Sequence, residues 1–373
     1  MGKRVLVTGI GGFIGAHCFK YWMRNTDWDI VGLDSFRHKG YTSRFAEAIA
    51  GTVCSPPDHQ ADLWSVHTHD LTVPIDKPLE NLLMRRQIDN RGVVSEKPID
   101  VIINFASDSA VERSTSDPIH CWRNNCELMA NMLEFARRVN PKLFIQISTD
   151  EVYGQAMPAP DPGHHEWDVI KPSNPYAASK AAQEALCISY WRTFDMPIII
   201  TNTMNVIGEW QDPEKLLPRI IQCVAQGKDI PIYADQLSYL GDQPWNHKDK
   251  KGNFWNIGSR VYLDARNKAN ALAFLVDHSA SRYSQGAELP DRYNICGDTE
   301  LNNLELAQMV ADIMHKPLNY NLVPSETARP GYDRRYMLDG SKLAALGWKA
   351  PIPFRETLER IVQWTQLHHE WLV

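Results

Sequence analysis

Two short stretches of the chain carry side chains able to move protons. Tyr176-Ala177-Ala178-Ser179-Lys180 sets a phenol and an ammonium four residues apart, hence one turn apart on one helix face. A phenol with a pKa near about 10 is a poor base at neutral pH, so a neighbouring cation that favours phenolate is what such chemistry requires. The second stretch, Ser148-Thr149-Asp150-Glu151-Val152-Tyr153-Gly154, follows an apolar run and puts a hydroxyl next to two acids. Paired carboxylates can have their pKa values pushed apart, leaving one as acid and the other as base. Neither stretch is specific alone: Tyr and Lys four apart are common on helix surfaces, and adjacent acids are common in loops.

The elements that must position these groups can be read from hydrophobic patterning. An apolar run over 4–8, a glycine-rich turn, a helical stretch to about residue 23 and a second apolar run ending at Asp34 form one strand-helix-strand unit. Buried strands are predicted over 101–105, 143–147 and 197–201, each after a helical stretch. The fold class is therefore α/β, a Rossmann-type doubly wound parallel sheet over 1–202, with 259–276 returning to it as a strand and helix. The texture changes after 202, with Pro213, Pro218 and Pro231, and a polar, tryptophan-bearing stretch over 236–256 reads as an insertion loop. Residues 203–258 and 277–373 are expected to form a smaller C-terminal α/β substrate-binding cap, with helices over 303–315 and 354–367.

The first turn is the most informative segment. Thr8-Gly9-Ile10-Gly11-Gly12-Phe13-Ile14-Gly15 places glycines at 9, 12 and 15 between a strand and a helix. Gly9 allows the tight turn, Gly12 lets the amides of the Phe13-Ile14 helix start approach a pyrophosphate, and Gly15 permits close packing of helix on strand. Asp34, at the end of the second strand, can accept hydrogen bonds from an adenosine ribose and would repel a 2′-phosphate, which favours NAD over NADP. Arg37 and Lys39 lie near it in sequence. Asp70-Leu71 is a candidate adenine contact or a plain turn. A bound NAD gives Tyr176 and Lys180 a purpose, because a positive nicotinamide ring adds to the cation that favours phenolate.

Bulk properties exclude several classes. A chain of 373 residues, 43% hydrophobic and 23% charged, with a formal charge of -6, has no basic excess to hold a nucleic acid backbone. Seven scattered cysteines lack the spacings of zinc or disulfide frameworks, and no apolar run reaches a membrane span, so a cytoplasmic setting without membrane anchoring is expected. The pairs His67 and His69, His164 and His165, and His368 and His369 lack a third ligand at useful spacing, so no metal is expected.

In order along the chain, TGIGGFIG, ISTDEVYG, NPYAASK, DPEKLLP, IPIYAD and RPGYDRRYMLDGSKLAALGW resemble the extended short-chain dehydrogenase/reductases, and among them the nucleotide-sugar 4,6-dehydratases that act on dTDP-glucose. The match runs nearly end to end, broken by extra residues around 78–98 and 236–256. The glycine turn and the Tyr-Lys pair define only the superfamily; Thr149-Asp150-Glu151 is the more specific part. The resemblance implies a redox-neutral cycle. Tyr176 takes the proton of the sugar 4-hydroxyl as hydride leaves C4 for NAD, assisted by Thr149 and Lys180; Glu151 then removes the C5 proton and Asp150 protonates the departing 6-hydroxyl, before hydride returns to C6 and C5 is reprotonated. It also implies substrate contacts by Asp108-Ser109, Asn125, Asn205, Lys215, Leu216, Pro231, Tyr233 and Arg334, and a homodimer through a four-helix bundle, although periodicity alone does not separate such a face from intramolecular packing.

Departures from the family pattern bear on the substrate. Ala110 replaces a usual histidine, Asn202 stands where an arginine is common, Ile207-Gly208-Glu209 replaces Tyr-Gly-Pro, and Gly258-Ser259-Arg260 replaces Arg-Asp-Trp. A 4-epimerase or a sugar-nucleotide decarboxylase on the same scaffold would need Tyr176 and NAD but not the acid pair. A non-catalytic nucleotide-sugar sensor that keeps fold and cofactor as structure would have no need of Thr149, Asp150, Glu151, Tyr176 and Lys180 all together.

Overall fold

The computed structural model of the protein describes residues 2–37, 40–53, 64–85, 87–88, 94–239, 244–278, 287–325 and 331–372. Lys39 and Cys54 lie outside these, as do parts of both expected insertions. The described chain divides into two units: 1–149, 175–202 and 269–293 form the first, and 150–174, 203–268 and 294–373 the second. This differs from the sequence-based division over three stretches. Residues 150–174 and 259–268 cluster with the second unit, and 277–293 with the first.

The first unit is built on a seven-stranded sheet ordered Asp291–Ile295, Ile198–Thr203, Leu143–Ile147, Val101–Asn104, Arg4–Thr8, Asp29–Asp34, Trp64–Thr68. The registers that join Arg4–Thr8 to its two neighbours are parallel, as expected of strands connected by helical crossovers. The strands Arg4–Thr8, Asp29–Asp34, Val101–Asn104 and Leu143–Ile147 are buried along their whole length, which is why they read as continuous apolar runs. Helix Pro118–Val139 starts with Asp117 capping the amide of His120 and stops at Asn140, which takes the left-handed conformation at φ 48. It contributes Leu128, Met129, Met132, Leu133 and Phe135 to the same core as Phe144 and Ile200.

Helix Pro175–Phe194 is unusual in what it buries: Ser179, Lys180, Gln183, Glu184 and Cys187. Burial of charge is tolerated only with partners. Glu184 meets Arg292 at 2.6 Å, both side chains at most 1% exposed, and accepts a second bond from Asn202 Nδ2 at 2.9 Å. Burial pulls the Lys180 ammonium down to about 8, with Glu184 and Cys187 acting the other way.

The second unit has two small sheets. One runs Asn246–Lys248, Phe254–Ile257, Ile230–Leu237, Tyr320–Pro324. The stretch expected to be an insertion loop thus contributes an antiparallel pair that extends a sheet, because Trp255 and Ile257 are buried against Ile230 and Ile232. The other sheet centres on Ser259–Asp264, paired with Glu300–Asn302, Arg335–Tyr336 and Asn205–Ile207. That strand was expected to return to the Rossmann sheet; its partners are those of the second unit. Helices Leu216–Gln226, Asn303–Ile313 and Phe354–Leu367 close the core through Ile220, Ile221, Leu306, Val310, Leu358 and Val362. Asn302 and Glu305 form a capping box at the start of the middle one.

Two outcomes are expected in unfolding experiments. Arg292→Met strands the Glu184 carboxylate in the core and costs about 3–5 kcal/mol in urea unfolding, most of which Glu184→Gln on that background restores; a loss within experimental error would show the pair to be dispensable. For Lys180, the folded pKa of about 8 lies below the ordinary 10.5, so between these values the unfolded chain holds a proton that the folded one has released. Stability from this group therefore rises as pH increases through that window and is constant below it. The unfolding free energy of the wild type relative to Lys180→Met should grow between pH 8 and about 10, and a difference that shrinks would contradict the burial argument.

Candidate active site

Steric constraints on the first turn agree with its glycines. Gly9 has φ +68, and a Cβ there would lie 2.9 Å from the Ala106 nitrogen. A Cβ on Gly15 would lie 2.2 Å from the Gly9 carbonyl oxygen, so the helix could not seat against the turn. Gly12 is the N-cap of helix Phe13–Asn25 and offers no side-chain bond to the helix start. Beside it, the Asp34 carboxylate accepts from the Gly11 and Phe36 amides, each at 2.8 Å. Burial raises the Asp34 carboxyl above its usual range, with the amides of Phe36, Gly11 and Ser35 and the charge of Arg44 opposing. Arg44, 1% exposed, was not picked out by sequence reading. Each Asp34 oxygen keeps lone-pair capacity for a hydroxyl. An uncapped helix start, side-chain-free glycines and a carboxylate at the second strand's end fit a dinucleotide. The Asp70 carboxyl is pushed up by burial and, more strongly, down by the Thr72 amide and hydroxyl and by Arg37, which it meets at 2.6 Å. Leu71 is buried.

In the first unit Tyr176 sits in the opening turn of its helix, its amide bonded to Ser114 Oγ at 3.2 Å. Lys180, one turn on and 3% exposed, donates to the Ile147 carbonyl at 2.6 Å and to Gln183 Oε1 at 2.7 Å. Asn202 donates to the Thr149 carbonyl at 2.9 Å. Asn202, expected where a ligand-facing arginine is common, is fully buried and ties the end of the Leu143–Ile147 strand to Glu184. Asn125 is likewise spent within the protein: its Oδ1 accepts from the Asp108 amide at 2.7 Å and its Nδ2 donates to the Asp108 carbonyl and Ser179 Oγ. The Asp108 carboxylate is taken by Arg113, while Ser109 is exposed.

In the second unit Asp150 and Glu151 open a one-turn helix, Asp150–Tyr153. Asp150 is 5% exposed, and Glu151 Oε2 accepts from Asn174 Nδ2 at 2.8 Å. Asp333 receives Ser173 Oγ at 2.8 Å and the Tyr336 hydroxyl at 2.9 Å. The Tyr336 phenol is raised by burial first and then by Glu151. Arg260 gives its guanidinium to three main-chain carbonyls, those of Ser259, Asp333 and Arg334, at 2.6–2.7 Å. The rings of Tyr332 and Tyr336 lie against it at 5.4 and 4.4 Å. A Cβ on Gly258 would fall 2.9 Å from the Tyr332 hydroxyl and 3.0 Å from the Arg334 carbonyl oxygen, so a side chain there requires a neighbour to shift. Sequence reading missed Asn174, Asp333 and Tyr336; their signal was adjacency to Tyr176 and to Arg334.

The remaining expected substrate contacts are also in the second unit. Asn205 Nδ2 is buried without a hydrogen-bond partner among the described residues. Lys215 caps the helix Leu216–Gln226, and Pro231 and Tyr233 lie on the partly exposed face of Ile230–Leu237. Tyr233 and Tyr332 have ring centroids 6.1 Å apart. Arg334 is paired with Asp235 at 2.5 Å. Among the described residues no helix is long and apolar enough to cross a membrane, and no group of three His, Cys, Asp or Glu could hold a metal ion.

Comparison with known proteins agrees with this chemistry at the family level. The low-salt glycan biosynthesis protein Agl12 of Haloferax volcanii is 30% identical over 360 residues, covering 96% of this chain and 97% of that one. The dTDP-glucose 4,6-dehydratase of Haemophilus influenzae is 30% identical over 382 residues, covering 96% and 97%. Among solved structures, DesIV of Streptomyces venezuelae, a dTDP-glucose 4,6-dehydratase with NAD and TYD bound, superposes with TM-score 0.75 at 26% identity, covering 99% and 98%. The UDP-glucose 4-epimerase of Thermus thermophilus, in complex with NAD, shares the fold at TM-score 0.72 and 24% identity, covering 97% of this chain and 99% of that one. Residues 5–296 match the NAD dependent epimerase/dehydratase family, and the chain belongs to it.

Proposed function

We propose that the protein is a nucleotide-sugar 4,6-dehydratase that binds NAD at the turn of Gly9, Gly12, Phe13, Ile14 and Gly15, with Asp34 on the adenosine ribose, and converts a dTDP-glucose-like substrate to its 4-keto-6-deoxy form. The observation that carries this reading is the acid pair directly after Thr149, with Glu151 held by Asn174. Simple oxidation or epimerisation at C4 needs the phenol and cation alone. The 30% identity to a dTDP-glucose 4,6-dehydratase over nearly the whole chain supports it.

The roles follow from the chemistry of each group. NAD, when bound, supplies the hydride acceptor and later the donor. Tyr176 accepts the proton of the 4-hydroxyl, and Lys180 favours its phenolate by charge. Thr149 offers a hydroxyl at the same sugar position. A ketone at C4 makes the C5 proton acidic; Glu151 removes it, and Asp150 hands a proton to the leaving 6-hydroxyl, which departs as water. Asn174, donating to Glu151 Oε2, holds that carboxyl group in place. Asn205, Lys215, Leu216, Pro231, Tyr233 and Arg334 are the proposed contacts to the nucleotide. Asp108, Ser109 and Asn125 act by shaping the loop after Val101–Asn104. A homodimer through Pro118–Val139 and Pro175–Phe194 would cover Ile119, Trp122 and Phe194, which are exposed on these helices.

Incubation with dTDP-glucose, and with UDP-, CDP- and GDP-sugars as alternatives, should release a product one water lighter than its substrate. A product of unchanged mass would assign the protein to the epimerases. With the dehydrated substrate identified, Glu151→Gln should retain NADH formation and lose exchange of the C5 proton with solvent; loss of NADH formation itself would remove Glu151 from the second step.

A further inference from the structure

A run of uncharged polar side chains crosses the core of the first unit beneath the expected cofactor turn. Thr8 Oγ1 donates to Asn104 Oδ1 at 2.5 Å, Asn104 Nδ2 to Gln146 Oε1 at 2.8 Å, and Gln146 Nε2 to Gln183 Oε1 at 2.9 Å. Lys180 Nζ ends on that same Gln183 oxygen. Thr8, Asn104, Gln146 and Gln183 are all 0% exposed. The first three are register partners on neighbouring strands, Thr8 opposite Asn104 and Asn104 opposite Gln146, so one face of the sheet carries them in line. Apolar side chains would fill these positions at lower cost, since each buried amide deprived of a partner costs about 1–3 kcal/mol.

The polarity of the ladder is forced by its ends. The Asn125 carbonyl can only accept, and it takes Gln183 Nε2 at 2.8 Å, so Gln183 must turn its oxygen to Lys180. The Ile147 carbonyl takes Gln146 Nε2 at 3.0 Å, which leaves the Gln146 oxygen for Asn104. Asn104 must then offer its oxygen to Thr8, whose own oxygen accepts the Ala106 amide at 3.2 Å. No member can flip alone without setting two donors or two acceptors against each other. The lysine therefore always meets an oxygen.

We infer that Gln183, locked by the Thr8–Asn104–Gln146 ladder, is a positioning residue that holds the Lys180 ammonium in place and ties it to the strand that opens the glycine turn. The Gln183 oxygen and the Ile147 carbonyl take two of the ammonium's three donors, and the third has no partner among the described residues. The other ionisable groups around Lys180 are Glu184 and Cys187 on its own helix and Arg292 behind Glu184. The groups bonded from the strand and from Pro118–Val139 are uncharged. The inference rests on the proposed role of Lys180 beside Tyr176, but not on dehydration as such.

The test is the titration of Lys180 in the NAD-saturated protein, followed by NMR of isotope-labelled lysine and assigned with Lys180→Arg. Gln183→Met, similar in length and without an acceptor, should lower the Lys180 pKa by about one unit, the size of one lost hydrogen bond to a charge. Gln183→Glu, equal in shape, should raise it by about as much and decides the question if the methionine variant fails to fold. With any nucleotide sugar that the wild type oxidises, Gln183→Met should lower kcat on the order of tenfold with KM unchanged. A Gln183 that serves packing alone would lower the unfolding midpoint and leave both titrations where they were, which overturns the inference. A wild type that removes no water from any sugar, with the Lys180 shifts intact, would instead refute the dehydratase reading and leave Gln183 in its role.

Discussion

Keeping a protonated lysine inside a hydrophobic sheet-and-helix core is the constraint around which the first unit is arranged. A cation removed from water costs free energy that hydrogen-bond acceptors and a nearby opposite charge must offset. Lys180 obtains two from Ile147 and Gln183, and a nearby negative charge from Glu184. Glu184 in turn requires Arg292, which the edge strand Asp291–Ile295 supplies from more than a hundred residues away in sequence. The helix Pro175–Phe194 thus looks weakly amphipathic for a physical reason: the side it turns inward is polar. Asn202 belongs to the same arrangement, bonding both Glu184 and the carbonyl of Thr149.

How much of this was legible in the sequence depended on whether a signal was local. The glycines at 9, 12 and 15 announced their turn because backbone sterics act within a few residues. The strands Arg4–Thr8 and Leu143–Ile147 were read with correct bounds, since burial on both faces leaves an uninterrupted apolar run. Thr8, Asn104 and Gln146 were visible as polar residues inside such runs, yet their meaning depends on register between strands far apart in the chain. Strand Ser259–Asp264 was read as a strand and given the wrong sheet, because its partners are fixed by long-range pairing that an apolar run does not specify. The hairpin of Asn246–Lys248 and Phe254–Ile257 was hidden by its polar outer face.

The candidate site was legible in its reactive groups and less so in what holds them. Tyr176, Lys180, Asp150 and Glu151 stand out by type and spacing. Asn174, Asp333 and Tyr336 do not, because such side chains are common and only geometry reveals that Asn174 donates to Glu151 and that Ser173 and Tyr336 donate to Asp333. Asp108 and Asn125, both expected to touch a ligand, also bond their own neighbours. A motif comparison reports which positions matter in relatives; it does not say whether a position works by contact or by shaping the backbone beside it.

The enclosure of Arg260 has a consequence for the acids of the second unit. Burial opposes its charge, while Tyr332, Tyr336, Tyr262 and Asp150 favour it, and its bonds go to main-chain carbonyls that cannot compete by titrating. Dissolved ions weaken interactions between exposed charges across about 10 Å at moderate salt, but have little purchase on a guanidinium packed between two rings. The field that Asp150 experiences from this side is consequently screened far less by dissolved salt than that of a surface charge.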